Sequence, residues 1–323
     1  MRHLIACILA VLALQCASAT AAPRVECIAP AKAGGGFDLT CQLLREMLRL
    51  PAAAPVADVD IRYLPGGIGA LAFDRAVTQR WSDPRTLVAF STGSLVNLAQ
   101  GKFGPHSPDD VRWLATLGTE YGVVAVRRNS QMDSLATLRM RLRADPAGLV
   151  FGAGGGVGSQ DWIKAALLVQ SAGKDHRAMR FVSFEGGGQA IAALRGGHVD
   201  VFCGDAAEAT EAFLAGEIKL LAVLAPQRLA GRLAQVPTAR EQGLDLVWPT
   251  VRGVYMGPGV AARDYDEWVR TLQRVMATPE FGRVLRARGL EPFPKTGSDA
   301  QQYVRSEVER MRELARTLHL PVR

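Results

Sequence analysis

At 323 residues, with 48% hydrophobic residues and a net charge of +7, the chain has an ordinary globular composition and exceeds what one hydrophobic core usually organises, which predicts two domains. Its Lys and Arg residues are spread along the sequence without a compact basic block interleaved with aromatics. That excludes nucleic acid as a partner and leaves a positive balance suited to small anions.

The N-terminus reads as a secretory signal over residues 1–22. Arg2 and His3 precede the apolar run Leu4 to Leu14, about a dozen residues and too short to span a bilayer. Ala17-Ser18-Ala19 and Ala19-Thr20-Ala21 each offer a cleavage pattern, whereas Gln15 before Cys16 does not suit a lipoprotein site. Export to the periplasm is the expectation. It would leave Cys27, Cys41 and Cys203 in an oxidising compartment.

An apolar strand, a Gly-rich turn and an amphipathic helix then recur as a unit, which predicts an α/β fold with mostly parallel sheets. The first unit is a strand Val25–Ala29, the loop Lys32–Asp38 and a helix from Leu39 to about Leu50. The second is Val59–Leu64, the turn Pro65-Gly66-Gly67-Ile68-Gly69 and a helix from Ala70 to about Gln79. Thr86–Phe90 feeds Ser91-Thr92-Gly93-Ser94 and another helical start. A strand at Tyr121–Val126 opens a further series. In it, Leu149–Phe151 runs through Gly152–Ser159 into a helix Gln160–Ser171, and Arg180–Ser183 runs through Phe184–Gly188 into a helix Gln189–Leu194 capped by Gly196-Gly197. Strands Val199–Cys203 and Lys219–Val223 follow. Three Arg-rich amphipathic helices, from about Tyr265, Pro279 and Ser298, read as packing elements.

Two strand-like stretches, Tyr121–Val126 and Val247–Tyr255, would cross between the series and back. Two crossings make a hinge. The expected division is domain 1 from 24–122 plus 250–323 and domain 2 from 123–249, with the ligand between them at the carboxyl ends of the strands.

Helix N-termini carry unpaired N–H groups and a partial positive charge, and glycines before them let an anion approach the backbone. Loops of this kind facing one cleft suit carboxylates, though phosphate would fit the same physics. Ser91 and Ser94 follow a strand end, and Ser159 and Gln160 open a helix, Ser159 being also a natural N-cap. Arg252 offers a bidentate donor to a carboxylate, with a structural ion pair as the alternative. Phe37 and Tyr121 are candidate pocket walls or core residues. Asp205 would hold a ligand hydroxyl or cap the next helix, and Asp38 would cap and shape its loop. Cys27 in the first strand and Cys41 one turn into the next helix can be bridged across the intervening loop or stay as two buried thiols; Cys203 reads as an inert buried thiol.

Other chemistry finds little support. Gly67-Ile68-Gly69-Ala70-Leu71-Ala72 matches the dinucleotide fingerprint, yet no acidic residue ends a following strand about 20 residues on. There is no phosphate loop of the G-x-x-x-x-G-K-[ST] kind and no nucleophile elbow. The histidines at 106, 176, 198 and 319 show no metal-ligand spacing. No cofactor, metal or catalytic residue is expected, and the chain reads as a non-enzyme.

The run from Glu26 to Cys41, Tyr63-Leu64-Pro65-Gly66-Gly67-Ile68-Gly69-Ala70, Gly158-Ser159-Gln160-Asp161-Trp162, Phe184-Glu185-Gly186-Gly187-Gly188 and Pro237-Thr238-Ala239-Arg240-Glu241-Gln242-Gly243 resembles, in order and spacing, the receptor of tripartite tricarboxylate transporters. The resemblance implies a two-domain Venus-flytrap of the type II periplasmic-binding-protein class. It implies a first-domain grip on one carboxylate by Gly35, Gly36, Phe37, Gly66 and Gly67. Selection of the rest of the ligand would fall to Ser94, Ser159, Gln160, Glu185, Gly186, Gly187, Asp205 and Arg252. Cys27 with Cys41, Phe37-Asp38-Leu39-Thr40 and Trp248-Pro249-x-x-Arg252-Gly253 resemble the citrate-type branch. The expected function is therefore a monomeric periplasmic receptor delivering a tricarboxylate to an inner-membrane permease; alternatives are another organic acid feeding a membrane sensor, or a cleft enzyme.

Overall fold

The computed structural model describes residues 24–54 and 58–323; the signal peptide expected over residues 1–22 lies outside them. Two sheets organise these residues. The first has the order β11-β4-β10-β3-β1-β2, formed by β1 (Val25–Ala29), β2 (Val59–Tyr63), β3 (Thr86–Ser91), β4 (Arg112–Tyr121), β10 (Pro249–Met256) and β11 (Glu291–Thr296). The second runs β7-β6-β8-β5-β9, with β5 (Val123–Arg127), β6 (Val150–Gly154), β7 (Arg180–Phe184), β8 (Val201–Phe202) and β9 (Ile218–Val223). Ten α-helices are described: α1 (Gly36–Leu48), α2 (Ala70–Thr78), α3 (Thr92–Ala99), α4 (Leu135–Ala144), α5 (Gln160–Ser171), α6 (Gly187–Gly196), α7 (Ala206–Leu214), α8 (Ala262–Met276), α9 (Pro279–Ala287) and α10 (Ser298–Thr317).

The β-loop-α units read from sequence produce this arrangement directly. β1 pairs in parallel with both β2 and β3, and β6 in parallel with β7 and β8, so the loops after β1, β3 and β6 each lead from a strand's carboxyl end into a helix. Apolar residues at helical spacing on α1, Leu43, Leu44, Met47 and Leu48, are buried against the first sheet. Cys27 on β1 and Cys41 on α1 are joined by a disulfide, with Cα atoms 5.7 Å apart. Cys203 is free and buried.

Several boundaries differ from the sequence reading. α1 and α6 begin at Gly36 and Gly187, earlier than Leu39 and Gln189, so the glycines themselves make the first helical turns and supply their free N–H groups. The strand expected at Tyr121–Val126 is two strands broken at Gly122, of which the first already starts at Arg112. Val199–Cys203 contracts to a two-residue strand. β11 was not anticipated, because Pro292 and Pro294 lack ladder donors; the strand lies at the sheet edge, where proline is tolerated.

The chain passes from the first sheet to the second at Gly122 and returns at Trp248. The Gly122 N–H donates to the Trp248 carbonyl at 2.9 Å, so the two crossings are tied together. Gly122 is required by close packing: a Cβ there would lie 2.9 Å from the Lys164 side chain and 3.0 Å from that of Leu224.

Candidate functional site

Between the two sheets lies a cavity of about 70 Å³ onto which four helix N-termini open: α1 at Gly36, α3 at Gly93, α5 at Gln160 and α6 at Gly187. Two of these helices follow strands of the first sheet and two follow strands of the second. The convergence places partial positive charge from both halves around one small volume.

A carboxyl group already stands there. Glu208, part-buried on α7, accepts the Gly36 N–H at 3.0 Å through Oε1, and a Cβ built on Gly187 would lie only 2.0 Å from its Oε2. The side chain thus sits between the starts of α1 and α6. Burial, then the neighbouring Asp205 and Asp161, push the Glu208 carboxyl up to about 8, against the pull of Arg252.

Beneath it lies a buried network of charges. The Arg252 guanidinium is 1% exposed; its Nε and Nη2 donate to Glu120, and Nη2 also reaches Asp205 at 3.2 Å. Asp205 further accepts from Lys164 at 3.0 Å, Gln160 at 3.0 Å and the Thr250 hydroxyl at 2.9 Å. Lys164, fully buried, also pairs with Asp161 at 2.9 Å, and Asp161 accepts the Gly154 N–H at 2.9 Å. Burial opposes charge on both cations, yet their carboxylates hold Lys164 and Arg252 above their ordinary pKa values. Burial likewise opposes ionisation of Asp205, and Lys164 and Arg252 overcome it. In the low-dielectric interior, two cations face three buried carboxylates and Glu208 beside them.

Most of the residues singled out from sequence reach this cavity: Gly35, Gly36, Phe37, Ser91, Gln160, Glu185, Gly186, Gly187, Asp205 and Arg252 all line it. Arg252 is held in part by structural pairs, Glu120 and Asp205 taking its Nε and Nη2 donors, while Nη1 lies toward Gly36, 2.2 Å from where a Cβ there would fall. Asp205 occupies the N-cap position of α7 without accepting a capping bond, because its oxygens are used by the network.

Six others fall outside the cavity lining. Asp38 does not cap α1; it accepts the Gly34 N–H at 2.8 Å and the Tyr63 hydroxyl at 2.9 Å, fixing the loop ahead of the helix. Ser94 accepts the Ser91 N–H at 3.3 Å, and Ser159 caps α5 by accepting the Trp162 N–H at 3.3 Å. Tyr121 packs on the second sheet's core. Gly66 adopts a φ of 153° and Gly67 lines a neighbouring chamber.

Glu120, Lys164, Thr250 and Glu208 were not anticipated. A sequence signal existed for Lys164: with Gln160 and Asp161 it interrupts an otherwise apolar helix at spacings that put all three near one face. Glu120 ends an apolar strand, but nothing local distinguishes it from a solvated rim charge.

A family model described as "Tripartite tricarboxylate transporter family receptor" matches residues 82–320. The chain belongs to that family. Its fold is correspondingly that of a periplasmic binding protein: the solved structure of periplasmic binding protein BugD superposes with a TM-score of 0.81 at 19% identity, covering 92% of this chain and 98% of that one. MatC from Rhodopseudomonas palustris with bound malate gives 0.76 at 23% identity over 90% of this chain and 98% of that chain. R. palustris Rpa4515 with adipate gives 0.81 at 21% over 92% and 98%. Among curated proteins, a UPF0065 protein of Bordetella pertussis is 22% identical over 288 residues, 88% of this chain and 86% of its own length. The receptors of this family are solute-binding proteins that take small carboxylates and work with a membrane permease.

Proposed function

We propose that this receptor holds a small dicarboxylate in the cavity between its two sheets and delivers it from the periplasm to a tripartite transporter permease. The observation that carries this reading is the Glu208 carboxyl group on the Gly36 N–H at 3.0 Å: the free N–H at the start of α1 donates to a carboxyl oxygen. One carboxylate of the ligand takes that place, with Gly35 to Phe37 on one side and Glu185 to Gly187 on the other.

Charge balance favours two carboxylates over the three of a citrate-like ligand. Arg252 and Lys164 are already matched by Glu120, Asp205 and Asp161, so each further anionic group enters without a spare buried cation to meet it. Malate and adipate in related receptors agree with that count. The lobes that close on the ligand are 24–122 with 250–323, and 123–249, hinged where Gly122 meets Trp248. The receptor acts as a monomer in this scheme, exported by a signal peptide over residues 1–22.

Thermal unfolding of the mature chain with succinate, malate, adipate, citrate and phosphate tests it. A dicarboxylate at 100 times its dissociation constant adds about 2.7 kcal/mol of stability. A shift with citrate and none with any dicarboxylate restores the tricarboxylate reading; a shift with phosphate alone removes both.

A further inference from the structure

Ile68 has a backbone conformation foreign to its residue type. Its φ of 52° and ψ of 49° are left-handed, a genuine outlier for a β-branched side chain. Such a conformation is costly and persists where the surroundings enforce it. The neighbours Gly67 and Gly69 also have positive φ, 58° and 99°, so a glycine at position 68 would serve the turn better than isoleucine does. The side chain is therefore the feature that needs explaining.

That side chain stands at a boundary. Ile68 lines the 70 Å³ inner cavity and also a second, outer chamber of about 470 Å³. The chamber's lining includes Asn97, Lys102, Gly155, Val157 and Ser183, and Glu185 and Gln189 line both spaces as Ile68 does. Ile68 closes the gap between the two spaces by reaching across to Gly155: a Cβ built on Gly155 would fall 2.2 Å from Ile68 Cδ1. Gly155 itself has a φ of 95°. A bare glycine faces a branched apolar side chain, and the contact narrows the boundary that Ile68 shares with Glu185 and Gln189.

The outer chamber has its own polar group for an anion. Lys102 lies on its wall with its ammonium donating to the Val157 carbonyl. Among the described residues no carboxylate comes within ion-pair distance of it, although Glu185 also lines the chamber.

We propose that Ile68 is a specificity-determining partition that limits the length of an α,ω-dicarboxylate held at Gly36, and that removing it opens the way to Lys102 as a second carboxylate site. The inference rests on the proposed dicarboxylate reading. Short acids fit wholly inside the partition. Longer ones meet Ile68 before their second carboxylate finds a cation.

The test is calorimetric titration of the wild type, Ile68→Gly, Lys102→Met and the double variant with the series from succinate to suberate. Glycine suits the left-handed backbone, so Ile68→Gly folds. The wild type should bind the short acids and lose affinity along the series. Ile68→Gly should gain about tenfold for each methylene that the partition no longer excludes, while Lys102→Met alone leaves the short acids unchanged. The double variant should lose the gain. A wild type that binds suberate as tightly as succinate, or an Ile68→Gly profile identical to the wild type's, overturns the partition. A gain that survives Lys102→Met overturns the second carboxylate site. Absence of binding to every acid by all four proteins removes the dicarboxylate reading itself, which separates that failure from the others.

Discussion

The Glu208 carboxylate on α7 accepts the Gly36 N–H at the start of α1 at 3.0 Å, joining residues 172 positions apart across the cleft. The protein thus carries its own carboxyl group at the place proposed for an anionic ligand, so that under this proposal the two would compete for one donor.

Protonation of Glu208 decides that competition. Its carboxyl is pushed up to about 8 by burial, Asp205 and Asp161. Below that pH it is neutral and yields to an anion; above it, the ionised group holds the Gly36 N–H and repels the ligand. Dicarboxylate affinity should fall by up to about tenfold per pH unit above about 8, and Glu208→Gln should flatten the profile. Stability follows the same sign: the native state holds a proton that the unfolded state has released, so stability declines as pH rises from the ordinary glutamate range to about 8 and is level beyond. Binding and melting curves from pH 5 to 9.5 check both, and a wild-type profile indistinguishable from Glu208→Gln would exclude the competition.

Arg252 anchors the floor of the site. Replacing it by Met leaves Glu120 and Asp205 buried without their shared cation, and breaking a buried pair from one side costs about 3–5 kcal/mol. Lysine cannot reproduce the two-carboxylate fork, so Arg252→Lys should recover only part of the loss. Urea unfolding measures both variants.

Gly36 is fixed by packing, whatever part the proposed ligand approach plays. A Cβ there would lie 2.2 Å from Arg252 Nη1 and 2.6 Å from Nη2. Gly36→Val should therefore destabilise the fold, by about 1–3 kcal/mol as overpacking does, in addition to abolishing binding. Gly35→Ala is the cleaner probe, because its Cβ meets nothing closer than 3.8 Å. It should weaken ligand binding while leaving the melting temperature within a degree or two. Parallel melting and titration of the two variants separate these effects.

The bridge between Cys27 and Cys41 closes a loop of about 15 residues, worth about 3 kcal/mol through the unfolded chain. Both cysteines are buried. The double Cys→Ala variant should unfold at correspondingly lower denaturant with its affinity for ligand retained, since α1 remains packed on β1 through Leu43, Leu44 and Met47. Loss of affinity at full folding would mean that the bridge positions the Gly35–Phe37 turn.

Periodicity and glycine clusters are local signals, and the repeating β-loop-α units followed from them alone. The same signals placed Gly35, Gly36, Phe37, Gly186 and Gly187 in the loops that lead into helices, and they located the two crossings that the Gly122–Trp248 hydrogen bond ties together. Local pattern also misled in places: the prolines of β11 masked an edge strand, and Asp38, set for capping by its position, turned instead to Gly34 and Tyr63.

The charge network, the Glu208 contact and the position of Ile68 between two cavities emerge only from packing in three dimensions. Glu120, Lys164, Asp205 and Arg252 come from four separate elements. Their residue types alone do not say whether they face water or one another. A buried ion pair forms only when packing removes solvent from both partners at once, and that event depends on contacts far apart along the chain. The loop Gly34-Gly35-Gly36 carries the local signal for an anion site; how many charges the proposed ligand could bring to it depends on which side chains the fold has buried beneath it.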